Sequence, residues 1–473
     1  MIALHPESKT PLYEQLYLSL LEELRAGRIA PGERLPGRRA MAARLGVSVN
    51  TVDAAYQMLA AEGLAESRPR SGFVVQETGA LLHPRPAALP PALPAEETDA
   101  PAAPRYDLTT GGVDTVLFPA RTWGRIQKEL LYTSPELLRR GEMQGDADLR
   151  RVISLYLSEY RGVVCTPGQV VVGAGIEYLL GCLAHLFSGS TAAVENPGYR
   201  RTRVVLENNG IPCKLVDIDK SGLSATALAE SGAGLCYVTP SHHFPTGVTM
   251  PAPRRAQLLA WADAAPERYI LEDDYDSEFR FDTKPLPSLQ GMAGPGGPVV
   301  YLTTFSKSLA PGIRIACMVL PRRLLPRYRR DFAVYANTVS RFEQQTLRRF
   351  MAEGYFTRHL ARMRLAYKKR MERFAGELQT AFKGRGLRIQ GRHTGLHLLL
   401  ALPDAPGEAE MLARAAAAGV QLRGLREYYM ARPETCPPNT VVAGYAGLSD
   451  EDIPAVVAAL AEAWPGSWES RIG

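Results

Sequence analysis

PVVYLTTFSKSLAPGIR, residues 298–314, decides the fold of most of this chain. The run PVVYLTTF has the length and the β-branched and aromatic content of a buried strand. It ends on Thr304-Phe305-Ser306-Lys307-Ser308, and Pro311-Gly312-Ile313-Arg314 follows. Taken alone, a lysine is most often a solvated surface charge. This one stands at a strand end between hydroxyls, with a fixed positive charge at Arg314. An amine drawn partly out of water has its charged form disfavoured, so its pKa falls and it becomes a nucleophile toward a carbonyl carbon. Thr304, Ser306 and Arg314 can cradle a phosphate on the same turn.

Other short apolar runs precede this one: QVVVG (169–173), TAAVEN (191–196), GLCYVTP (234–240) and RYILEDD (268–274). They alternate with longer helical stretches, which predicts an α/β fold with a mostly parallel central sheet and functional residues at the carboxyl ends of its strands. A lysine beside a phosphate cradle suggests pyridoxal phosphate, a cofactor that also needs a carboxylate against its ring nitrogen. RYILEDDYDSEF supplies candidates at a strand end, and Asp273 is chosen, with Tyr275 two residues on to donate to the ring's phenolic oxygen. VVVGAGIEYLL reads as strand, glycine turn and helix, so the backbone N–H groups of Gly175 and Ile176 form an anion site. In ENPGYRR, Tyr199 follows another strand and is placed to stack on a ring face.

The amino-terminal part reads differently. Leu12, Leu16, Leu20, Leu21 and Leu24 recur at the helical period. RRAMAARLG forms a short helix stopped by Gly46, and Ser48 is placed to cap a longer one, VNTVDAAYQMLAAEG. A helix, a tight turn and a second helix, followed by the β-type runs LAES and GFVV, make a winged helix-turn-helix that can enter a major groove. Between Thr78 and Arg105 the chain turns to proline and alanine, a composition for an extended tether. The expected organisation is therefore a DNA-binding domain over 1–77, a Pro/Ala-rich linker over 78–105 and an effector domain over 106–473.

Composition bounds these readings. With 46% hydrophobic residues over 473 positions the chain can bury a real core, and no run of about 18 apolar residues suggests a membrane span. Six cysteines lie scattered with no C-x-x-C pair, against a zinc site or disulfide framework, so no metal is expected. MIALHPESKT lacks the profile of a signal peptide, and the expected location is the cytoplasm. The net charge of +6 does not argue for DNA by itself, because residues 1–77 carry nine basic and nine acidic side chains. Those charges are polarised, with arginines in the later half and glutamates at the start.

Residues 10–76 resemble the winged helix of GntR-family transcription regulators. The glycine turn, tyrosine, Asp-x-Tyr, lysine and arginine, in that order over about 106–465, resemble class I aminotransferases of fold type I. EDDYDSEF, TFSKSLAPGIR and TPSHHFPTG narrow the resemblance to the MocR-type subfamily of GntR regulators. The resemblance implies DNA contacts from Arg39, Ser48, Asn50, Thr51, Ser71 and Gly72. It also implies an internal aldimine at Lys307, Asp273 on the pyridinium, Tyr275 on the phenolic oxygen, Tyr199 stacked, and Gly175, Ile176, Thr304, Ser306 and Arg314 on the phosphate. Several positions depart from the family. Val49, Gly37 and Asp53 stand where relatives carry arginine, serine and, in some, arginine. Phe244 stands where aminotransferases have asparagine, leaving His242 as a substitute partner for the phenolic oxygen. Arg140 stands where related chains often have a tyrosine that reaches the partner subunit's phosphate. The substrate-clamping arginine is replaced near Val442, leaving Arg201, Arg423 and Arg426 as candidates for an effector carboxylate. The implied function is a homodimeric, pyridoxal-phosphate-dependent regulator that senses an amino compound or the cofactor itself and binds paired or repeated DNA sites. The alternative is a metabolic aminotransferase with a vestigial or recruiting DNA-binding module.

Overall fold

The computed structural model describes residues 2, 4–69, 71–77, 104–282 and 286–465. The chain separates into two compact units, Met1–Pro101 and Ala102–Gly473. The expected linker lies, from residue 78 to 103, outside the described residues.

In the small unit, α1 (Leu12–Arg25), α2 (Arg38–Leu45) and α3 (Val49–Ala61) precede a hairpin of β1 (Ala65–Arg68) and β2 (Gly72–Val75). The apolar stripe of α1 is buried against α3, with Leu16, Leu20, Met41, Val52, Tyr56 and Leu59 in one core. Gly46 ends α2 at φ +68, a left-handed turn that favours glycine. Ser48 Oγ accepts the Thr51 backbone N–H at 3.0 Å, capping α3 as its position predicts. This is a winged helix.

The large unit is α/β. Its strands are β3 (Tyr106–Asp107), β4 (Val170–Gly173), β5 (Ala192–Asn196), β6 (Cys213–Asp219), β7 (Gly222–Leu223), β8 (Leu235–Val238), β9 (Tyr269–Asp273), β10 (Val299–Thr304) and β11 (Ala316–Val319). Beyond these come β12 (Arg388–Gln390), β13 (His397–Ala401), β14 (Val420–Gln421), β15 (Arg423–Gly424) and β16 (Thr440–Gly444). The central sheet runs β4-β11-β10-β9-β8-β5-β6-β7. Neighbours from β10 to β6 are parallel, while β11 is antiparallel to both β4 and β10, and β7 turns back on β6. All five predicted strands are present. β6 and β11 were not among them.

The helix Ile176–Leu186 packs its apolar face on Val171, Leu271, Val300, Leu302 and Met318 of the sheet. A second sheet, β12-β13-β16-β15, is antiparallel and is covered by the helices Tyr355–Ala381 and Ile453–Ala463. The start of β13 brings Leu396 and His397 to the carboxyl ends of the central strands, where a cleft of about 260 Å³ opens. Among the described residues no helix is long and apolar enough to cross a membrane.

Candidate functional site

The sequence EDD at the end of β9 sends three consecutive acids to three different places, because a strand alternates its side chains and then turns. Glu272 accepts the backbone N–H groups of Leu289 and Gln290, beneath the sheet. Asp274 is paired with Arg161 at 2.6 Å and accepts from Tyr301 and Ser277. Asp273 alone faces the cleft. One of its oxygens accepts from Tyr237; the other, Oδ1, is buried with no partner. Burial pushes the carboxyl up to about 7, with Asp274 and Asp276 pushing the same way and the Tyr237 hydroxyl opposing.

Lys307 sits on the turn after β10 and reaches across the cleft, donating to the Thr110 carbonyl at 2.5 Å and the Gly111 carbonyl at 3.4 Å. Burial lowers its ammonium to about 8, against the pull of Asp276. A substantial share of the amine is therefore neutral at mildly alkaline pH, the form that attacks carbonyl carbon.

The far end of the cleft is a cradle. Gly175, at φ +94, turns the chain into the helix Ile176–Leu186 and brings Ile176 into the cleft lining. The Gly175 N–H expected in the anion site instead donates to the Gly173 carbonyl at 2.9 Å, because the turn folds back on the end of β4. A Cβ at Gly175 would stand 2.4 Å from Arg314 Nη2, which could shift, but the left-handed φ of +94 itself favours glycine here. Thr304 and Ser306 hydroxyls lie 2.8 Å apart on the adjoining turn. Glu177 accepts from Arg314 at 3.0 Å and from Arg201 at 3.3 Å, a role the sequence reading missed because only the backbone of this segment was considered. Tyr199 lines the cleft edge-on to Phe244, with the Arg201 guanidinium over its ring.

The cleft thus gathers Lys307, Asp273, Tyr275, Tyr199, Ile176, Thr304, Ser306, Arg314 and Arg201 in its lining, with Gly175 beside it. His242 is buried behind Tyr275, whose hydroxyl lies 3.1 Å from its Nδ1. Arg423 and Arg426 do not line the cleft; Arg423 stands 3.9 Å from Glu427, and the Arg426 backbone binds Glu408. Val442 is buried in an apolar cluster with Phe244, Leu399, Leu425 and Tyr428 and does not line the cleft. No group of three or more metal-ligating side chains occurs among the described residues.

Two family profiles match the chain: "Bacterial regulatory proteins, gntR family" over residues 12–75 and "Aminotransferase class I and II" over residues 113–460. The HTH-type transcriptional regulator YhdI of Bacillus subtilis (strain 168) is 38% identical over 472 residues, covering 98% of this chain and 97% of its own. The probable rhizopine catabolism regulatory protein MocR of Rhizobium meliloti is 32% identical, over 95% of this chain and 92% of its own. The chain belongs to the MocR-type GntR regulators. The aminotransferase fold of this MocR-type chain is matched by LysN, the alpha-aminoadipate aminotransferase of Thermus thermophilus, solved with N-(5'-phosphopyridoxyl)-L-leucine. The TM-score is 0.64 and the identity 25%, over 76% of this chain and 91% of that one.

The winged helix of the MocR-type chain presents its DNA-facing candidates to solvent. Arg39, Asn50, Ser71 and Gly72 are exposed, as is Val49. Ser48 and Thr51 hydroxyls are joined at 2.8 Å at the start of α3. Asp53 is ion-paired with Arg38, so the departure at this position also occupies a neighbouring cation.

Proposed function

We propose that this protein is a pyridoxal-phosphate-dependent transcription regulator whose large unit holds the cofactor and senses an amino compound, or the cofactor itself, through Lys307. The observation that carries the reading is Asp273 Oδ1, a buried carboxylate oxygen without a partner, in the same cleft as a lysine of lowered proton affinity. An unpaired buried acceptor of this kind is costly unless a donor arrives. A protonated ring nitrogen is such a donor, and the Gly175–Arg314 cradle accepts a phosphate. When bound, pyridoxal phosphate supplies an aldehyde that bonds covalently to amines and a ring that withdraws electrons from them.

Asp273 then holds the ring nitrogen protonated, and Tyr237 keeps the carboxylate in place. Tyr199, braced edge-on by Phe244, would stack on the ring face. Arg314, Ser306, Thr304 and the N–H of Ile176 anchor the phosphate, with Glu177 orienting Arg314. Lys307 offers the amine. For a ligand to change DNA binding it must favour one arrangement of the protein over another, and displacement of Lys307 by a competing amine supplies that difference. Arg201 is the cleft's candidate for an effector carboxylate; Arg423 and Arg426 would have to move to serve one.

The protein acts, in this reading, as a cytoplasmic homodimer on paired or repeated DNA sites. Exposed Leu131, Tyr132, Leu138, Val334 and Tyr335 support a second copy as partner, and Arg140 joins these segments by donating to the Val334 carbonyl at 2.6 Å. Purified protein incubated with pyridoxal phosphate should turn yellow, and Lys307→Ala should remain colourless. A gel shift with promoter DNA should respond to an amine in wild type and not in Lys307→Ala. Repeated turnover of an amino acid and a keto acid would favour the aminotransferase alternative instead.

A further inference from the structure

In the wall of the cleft a chain of polar contacts joins Asp276 and Tyr275, which line it, through His242, which is buried behind them. His242 follows β8 and Asp276 follows β9, and they are 1% and 2% exposed. His242 Nδ1 lies 2.8 Å from Asp276 Oδ2 and 3.1 Å from the Tyr275 hydroxyl. A bare Nδ1 would set its lone pair against a carboxylate oxygen at hydrogen-bond distance, so Nδ1 carries the hydrogen. That hydrogen is shared, and the Tyr275 oxygen accepts its longer arm. Its own hydrogen is left free to point into the cleft that Tyr275 lines.

The other groups facing the imidazole do not compete for this role. His397 packs against it with centroids 4.9 Å apart, is tied by Nε2 to the Pro245 carbonyl, and is kept neutral by burial. His243, next in sequence, is likewise kept neutral by burial. Lys307 and Asp273 line the same cleft as Tyr275 and Asp276, and the Asp276 charge acts on both of them as well as on His242. The backbone leaves the ring one place to sit: a Cβ at Gly395, φ +78, would stand 1.7 Å from His242 Cε1.

We infer that His242, oriented by Asp276, is a positioning residue that fixes the Tyr275 hydroxyl as a donor into the cleft, toward the phenolic oxygen of the cofactor. The inference rests on the cofactor reading above. A hydrogen bond donated to that oxygen withdraws its negative charge and weakens its hold on a neighbouring proton, so the pH midpoint of the bound cofactor's visible spectrum falls. Loss of the bond raises the midpoint. The full-length protein loaded with pyridoxal phosphate is titrated spectroscopically as wild type, Tyr275→Phe, His242→Phe, His242→Gln, Asp276→Asn and the double variant Tyr275→Phe/His242→Phe. Tyr275→Phe and His242→Phe should each raise the midpoint by about one pH unit, and Asp276→Asn should raise it less. His242→Gln, which keeps an N–H donor, should stay near wild type. The double variant should match Tyr275→Phe alone, because His242 acts only through the tyrosine. An unmoved midpoint in His242→Phe, or a shift that adds in full to that of Tyr275→Phe, overturns the inference. Should His242→Phe fail to fold, an unmoved midpoint in Asp276→Asn overturns it equally. A wild-type protein that takes no colour brings down the cofactor reading and this inference together; a coloured wild type with unmoved variants brings down the inference alone.

Discussion

The two units carry their candidate residues in opposite ways. In the winged helix Arg39, Asn50 and Ser71 are exposed, and they stand on elements built from contacts between near neighbours in sequence. In the large unit the cleft that holds the candidates is lined by residues as distant in sequence as Thr110 and His397. Several are buried there, where proton affinities shift: Asp273 up to about 7, Lys307 down to about 8. A surface that reads DNA needs reach and charge, whereas a cleft that captures an aldehyde needs an amine and a carboxylate held out of water. Substitutions should therefore disturb the first through affinity and the second through protonation and packing.

Gly395→Ala should produce the largest change. It forces a Cβ onto His242 from a left-handed backbone position, and it should destabilise the large unit by about 3 kcal/mol in chemical denaturation. The winged helix should keep its DNA contacts. Equal damage to both units would erase the distinction between them.

Asp273→Asn should act with two signs. The folded-state carboxyl titrates near 7, above its ordinary 3.8, so the folded protein holds this proton to higher pH than the unfolded chain. Ionising the buried group therefore costs stability that grows as pH rises from about 4 to about 7. Asparagine removes that cost. The cofactor-free variant should be more stable than wild type at pH 8 by roughly 1–3 kcal/mol, show no such gain at pH 4, and hold pyridoxal phosphate more weakly. Unfolding curves at the two pH values check the sign.

Ser48→Ala removes the cap of α3 and should cost about 1 kcal/mol in the small unit alone, with the cofactor spectrum unchanged. Asp53→Asn should alter stability by less than about 0.5 kcal/mol, since its pair with Arg38 is largely solvated. It should tighten DNA binding a few-fold by freeing a cation and removing a charge that repels phosphate; a salt titration of the gel shift measures this.

Much of this was legible in the sequence where the physics is local. The α3 cap at Ser48, the turn at Gly46 and the hairpin from residues 65 to 75 follow from short-range rules. β4, β5, β8, β9 and β10 were legible as apolar runs. β11 was not, because only a short 3-10 turn, Pro311–Ile313, separates it from β10 and it runs antiparallel, which alternation of strand and α-helix cannot signal. β6 escaped because its residues are mostly only half-buried and alternate with charge. In the cleft the motif segments named Lys307, Asp273 and Arg314, but the partners that hold them depend on tertiary approach. Glu177 was visible in GAGIEYLL as an acid in the first turn of a helix, but Arg201 and Arg314, the arginines it binds, are brought beside it only by the fold. Asp276 stood in plain view in EDDYDSEF, yet only the fold shows that it turns to His242 while Asp274 turns to Arg161.

Every role proposed for the cleft depends on a covalent link between pyridoxal phosphate and one amine. Borohydride reduction of the full-length protein with the cofactor, followed by peptide mapping in a mass spectrometer, locates that link. A single reduced pyridoxyl adduct on Lys307, lost in Lys307→Ala, is the predicted result. No adduct with cofactor in excess, or one spread over surface lysines, would contradict it.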